Sequence, residues 1–144
     1  MTARFPHRYR VELASQHGDS GVITSPGRPE IVGGAPAEFG GRDDWWSPEQ
    51  LLVASVVLCT MSTFHAFAEK EKLAVDGCRC HAEGTVDKTS AGLAFTAIHL
   101  RVELGVPPAD VSRAMAILDR AKRHCLVASS LTCPVTVDSD ITVA

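Results

Sequence analysis

Five cysteines are the residues in this chain best suited to nucleophilic or redox chemistry, and their surroundings differ. Cys59 closes the apolar run Leu51-Leu52-Val53-Ala54-Ser55-Val56-Val57-Leu58. Helical spacing sets Leu52, Ser55, Ser62 and Ala66 beside it, mostly small residues that let a second backbone or a small ligand reach the sulfur. Cys125 follows Lys122-Arg123-His124 and opens the segment Cys125-Leu126-Val127-Ala128-Ser129-Ser130-Leu131. The thiolate is the nucleophile, and neighbouring cations favour it. The same basic cluster would also neutralise a helix C-terminus. Packing alone accounts for many buried free cysteines, so both readings stay open on the residues.

Cys78-Arg79-Cys80-His81 offers a second constellation. On a strand the two thiols share one face. A structural zinc site takes four ligands, usually with wider cysteine spacing, and no second pair accompanies this one. A metal-binding module built on Cys78, Cys80 and His81 is therefore a minor alternative, testable by zinc content. Cys133, beside Pro134 at the start of the last strand, reads as structural.

These thiols need elements to position them. Tyr9-Arg10-Val11-Glu12-Leu13 alternates as a strand, His17-Gly18-Asp19 turns, Gly21-Val22-Ile23-Thr24 is a second strand and Glu30-Ile31-Val32 a third. Residues 33–46 read as a long ordered loop, the kind that often carries function. Ser47 then opens a helix with a full set of start signals. Ser47 is the N-cap, Pro48 sits at N1, Glu49 meets the helix dipole and Gln50 completes a capping box. The helix runs to Glu71 or Lys72 and is apolar nearly all round as far as Met61, which predicts burial on every side. Two strands follow, residues 74–87 and 93–104, joined by a turn at 88–92. Pro107-Pro108 stops the second. A helix over 109–124 places Val111, Met115, Leu118 and Lys122 at helical spacing. A short helix or turn over 125–131 and a strand over 134–143 complete an α+β order.

Composition sets the limits. The chain has 144 residues, 45% hydrophobic and 22% charged, which suits one domain, 1–144, with a sizeable core. A net charge of −3 without a basic run argues against nucleic acid and anionic membranes as partners. Residues 51–61, the most apolar stretch, are too short to span a bilayer. No apolar leader follows the basic start, and five is an odd cysteine count, so a cytoplasmic protein with free thiols is expected.

Ser47-Pro48-Glu49-Gln50-Leu51-Leu52 and the apolar stretch ending at Cys59 resemble the central helix of the OsmC/Ohr family, the osmotically inducible and organic hydroperoxide resistance proteins. Ala121-Lys122-Arg123-His124-Cys125-Leu126-Val127-Ala128-Ser129 resembles the family's second motif, with Leu126 where many members carry proline. The order of elements agrees over nearly the whole chain. The resemblance implies an OsmC-like fold, antiparallel sheets around a long central buried helix, in an intertwined homodimer. It implies a thiol peroxidase with peroxiredoxin-like activity in oxidative stress defence, needing no cofactor beyond its redox-active cysteines. Cys59 would attack an organic hydroperoxide and become a sulfenic acid, and Cys125 would resolve it as a disulfide. A dithiol or lipoylated-protein reductant would restore both thiols.

Glu49 matches the family's acidic active-site residue. It precedes Cys59 by ten residues, about 15 Å along a helix and about 80° around it, so one helix cannot bring both to the same peroxide. Shared use would need Glu49 of a second copy, across antiparallel helices. The family's activating arginine has no match where it is sought, at Phe39. Arg42, and after it Arg28, are the loop arginines expected to substitute, although Asp43-Asp44 offers Arg42 a surface ion pair instead. The alternative function is a non-catalytic or weakly active dimeric small-molecule-binding member of the same family.

Overall fold

A computed structural model describes residues 4–15, 18 and 20–143. Its contacts cluster into two units that divide between Leu51 and Leu52. Within the first, β1 (Glu12–Ala14), β2 (Ser20–Thr24) and β3 (Ile31–Gly34) form an antiparallel sheet in the order β1-β2-β3. β1 begins later than the alternation from Tyr9 predicts. Glu12 pairs with Thr24, so the same register would set Arg10 against Pro26, which has no N–H to give. Instead the Ser25 hydroxyl donates to the Arg10 carbonyl at 3.1 Å. Of the turn read at His17-Gly18-Asp19, only Gly18 lies within the described residues.

The loop after β3 is ordered by its own backbone. A 3-10 turn over Ala37–Phe39 ends at Gly40, whose φ of 83° lies in the left-handed region. Trp46 bridges Gly33, donating to the Val32 carbonyl at 3.2 Å and accepting from Gly34 at 2.9 Å. A Cβ on Gly33 would lie 2.8 Å from the Trp46 carbonyl oxygen, so this approach needs glycine. The capping box then forms as read: Gln50 N–H donates to Ser47 Oγ at 3.1 Å, and Ser47 N–H donates to Gln50 Oε1 at 3.0 Å. It starts α1 (Pro48–Lys70).

In the second unit, the alternation of β5 (Gly92–Val106) sets the core. Ile98, Leu100, Val102, Leu104 and Val106 are fully or almost fully buried, while His99 and Arg101 between them face out. Over them lie the α1 stripe Val56, Met61, Phe64 and Ala68 and the stripe Ala114, Ile117, Leu118 and Ala121 of α2 (Val111–Arg123). That second stripe differs from the expected one: Met115 and Lys122 are not core. Alanines at 114 and 121 let the helix sit close, leaving the longer side chains outside.

β5 pairs antiparallel with β4 (Cys78–Thr89) and parallel with β6 (Val135–Val143), in the order β4-β5-β6. The expectation of antiparallel sheets therefore holds for every pair except β5–β6. The chain returns to β6 through α2 and the short α3 (Leu126–Ser129), a crossover long enough to bring a strand back in the same direction.

α1 also departs from burial on every side. Within this chain one stripe is covered, and Leu58 on the other face is 70% exposed. By length and composition the whole helix could cross a membrane, unlike its first apolar stretch alone. It packs one face on the β5 core instead.

Candidate active site

The Cys125 sulfur is built into the second unit. α2 ends where His124 N–H bonds to the Arg120 and Ala121 carbonyls, and Cys125 becomes the N-cap of α3. Its sulfur accepts from Ala128 N–H at 3.5 Å and from the Thr60 hydroxyl at 3.3 Å, and lies 4.0 Å from the Val56 carbonyl. The side chain is fully buried. Val56 and Thr60 are one turn apart on α1, and Cys59 lies between them on the same turn. The structure thus brings Cys125 against the turn that carries Cys59.

Cys59 itself is half-buried, at the margin of the covered stripe. The small hydroxylated residues around it satisfy themselves along the helix. Ser55 Oγ donates to the Leu52 carbonyl at 2.7 Å, Ser62 Oγ to Leu58 at 2.6 Å and Thr63 Oγ1 to Cys59 at 2.8 Å. None of these hydroxyls thereby adds an unpaired polar group to the surroundings of the thiol.

Two of the three basic residues ahead of Cys125 have partners elsewhere. Arg123 pairs with Asp119, and the His124 ring meets Phe67 edge-on at 5.9 Å. The donors on the sulfur are Thr60 and Ala128, which sequence reasoning missed. Unlike Ser55, Ser62 and Thr63 on the same helix, Thr60 is only 1% exposed, and nothing in the sequence marked it off from them.

Glu49 and the arginines belong to the first unit. Glu49 Oε2 is buried and has no hydrogen-bond partner among the described residues. Glu49 helps line a cavity of about 650 Å³ together with Leu13, Ile23, Phe39, Trp46 and Leu51. A buried carboxylate oxygen without a partner is costly, and a ligand donor would relieve it. Arg42 Nε donates to Asp44 Oδ1 at 2.7 Å, and its guanidinium lies 5.3 Å from the centre of the Trp45 ring. That hydrogen bond, with the charge of Arg42, holds the Asp44 carboxyl below its ordinary range. The Arg42 pair is exposed on both sides. Arg28 donates through Nη1 to the Pro26 carbonyl at 2.7 Å.

Cys78, Cys80 and His81 are not gathered into one site. The two thiols share the core-facing side of β4, whereas His81 points to the other side, 3.9 Å from Glu103. Cys133 is half-buried and packs against the cluster around Val56, Ile98 and Leu100, in keeping with a structural role.

A three-stranded sheet, a mixed sheet and a long capped helix whose Cys59-bearing turn meets Cys125 make an OsmC-like α+β fold. It resembles an OsmC-like protein from Vibrio cholerae with a TM-score of 0.85 at 18% identity, over 94% of this chain and 100% of that one. It also resembles an organic hydroperoxide resistance protein from Elizabethkingia anophelis with a TM-score of 0.74 at 18% identity, over 97% of this chain and 100% of the other. The family model for OsmC-like protein matches residues 41–140, and this chain belongs to that family. The peroxiredoxin OsmC of Escherichia coli is 29% identical over 92 residues, a match that spans 64% of this chain and 64% of that relative's length.

Proposed function

We propose that this protein is a thiol-dependent peroxidase that reduces organic hydroperoxides. The observation that carries the reading is the Cys125 sulfur, fully buried against the turn of α1 that bears Cys59. Two relatives whose names are peroxiredoxin and organic hydroperoxide resistance protein support the reaction class.

The Cys59 thiolate attacks one peroxide oxygen, the O–O bond breaks, and the alcohol leaves with a proton. Cys59 is now a sulfenic acid. The Cys125 thiol condenses with it, releasing water and forming a disulfide, which shields Cys59 from further oxidation. An external dithiol, free or lipoyl-bound on a protein, reduces that disulfide by exchange and is itself oxidised. The sum is hydroperoxide plus dithiol giving alcohol, water and the oxidised dithiol. The unpartnered Glu49 oxygen suits a group waiting for a donor on a bound molecule. Its distance from Cys59 along α1 is best met by a homodimer in which each copy lends Glu49 to the other. We place the protein in the cytoplasm, working on soluble substrates without nucleic acid or membrane.

The second reading, a non-catalytic or weakly active binding member, is favoured by Arg42, which is held in an exposed pair with Asp44. Steady-state consumption of cumene hydroperoxide with dihydrolipoamide separates the two. The peroxidase reading expects saturable turnover that disappears in Cys59→Ser. Equal rates in the two proteins would leave only the binding reading.

A further inference from the structure

The Cys78–Cys80 pair plays no part in that chemistry, yet it is held in a defined place. β4 is an edge strand, and its thiol-bearing face is the one whose neighbours on β5, Leu104 and Val102, are core. Gly77, at a φ of 87°, turns the chain into the strand, and Cys80 packs against both hydrophobic clusters. Two residues along a strand separate their Cα atoms by about 6.6 Å, the long end of what a disulfide spans. A metal between the sulfurs adds two bonds of about 2.3 Å each and suits that spacing better than a direct S–S bond. Burial pushes both thiols up, and the charge of Cys78 raises Cys80 further. Among the described residues no cluster of three or more His, Cys, Asp or Glu is placed to hold a metal. A four-coordinate ion therefore lacks ligands here, whereas a two-coordinate ion lacks none.

We propose that Cys78 and Cys80 form a two-thiolate site for a soft monovalent cation, copper(I), at the edge of the second sheet. Thiolate softness selects such an ion over magnesium, calcium or manganese. On binding, two S–H bonds are replaced by two Cu–S bonds, two protons pass to solvent, and a complex of net charge −1 remains. No electrons move. Because the ion displaces protons, affinity weakens as pH falls.

The test is an anaerobic titration of the full-length Cys59→Ser/Cys125→Ser protein with copper(I) against bicinchoninate. The expected result is one ion per chain, a sulfur-only two-coordinate X-ray absorption spectrum, and roughly 100-fold weaker binding per unit fall in pH, as two released protons require. Binding is expected to be lost in Cys78→Ser, whose side chain is exposed and whose circular dichroism should match that of the parent, and in Cys80→Ser. No competition with the chelator, one ion shared by two chains, or copper retained in Cys78→Ser would each overturn the proposal.

Discussion

The molecule holds two cysteine pairs in contrasting settings. Cys59 and Cys125 are brought to one turn of α1 from distant parts of the chain, and the Cys125 sulfur receives a hydroxyl and a backbone N–H. Cys78 and Cys80 are neighbours on one strand, where desolvation is the main influence on both. Proximity of two thiols is therefore a poor guide to their chemistry. What separates the pairs is the set of donors on the sulfur. Cys125 accepts from the local Ala128 N–H and from Thr60, which tertiary packing brings to it, whereas among the described residues Cys80 Sγ faces only the neighbouring His81 carbonyl at 3.8 Å.

The largest effect expected along this contrast is in Cys59→Ser, which drops hydroperoxide turnover to background in a peroxide-consumption assay while Cys78→Ser keeps it. Peroxidase activity that depended on Cys78 would erase the distinction. Next is Cys125→Ser. Without its resolving partner, Cys59 should accumulate as sulfinic acid under repeated peroxide, visible by intact-mass spectrometry, and turnover should fall. A smaller effect comes from Thr60→Val, which removes the hydroxyl on the Cys125 sulfur at nearly constant volume. It should cost about 1 kcal/mol in urea denaturation, with Thr63→Val as the comparison that leaves the sulfur untouched.

The smallest effect belongs to the strand pair and is read from pH. Burial raises both thiols above the ordinary 9.0. The folded chain then holds protons that the unfolded chain has already lost. Stability is full below about pH 9 and declines as pH rises toward the folded values. Cys80→Ser should flatten that alkaline decline in thermal melts; an unchanged slope would show that its desolvation is unimportant.

Much of the fold could be read in advance where the determinants are local. The Ser47–Gln50 capping box is a four-residue signal, and it forms. The period-two alternation over residues 93–104 sets Ile98, Leu100, Val102 and Leu104 on one side, and that side is the buried one. The direction of β6 was not legible, since alternation is the same for parallel and antiparallel neighbours. Nor was the true α2 stripe, where small alanines outrank the larger Met115 for contact with the sheet. At the site, the meeting of Cys125 with α1 follows from tertiary packing across 65 residues, as does the role of Thr60. Motif resemblance suggested the pairing of the cysteines, and no spacing rule contained it. The Asp44 partner of Arg42 was visible in the sequence as one of two outcomes, and geometry realises that one.

The central claim is that Cys59 and Cys125 act as one redox pair. It is tested most directly by adding one equivalent of cumene hydroperoxide to the reduced protein and mapping disulfides by mass spectrometry. The account predicts a Cys59–Cys125 bond, absent in Cys59→Ser, with Cys78 and Cys80 still free thiols. A Cys78–Cys80 bond in its place, or no bond at one equivalent, would contradict it.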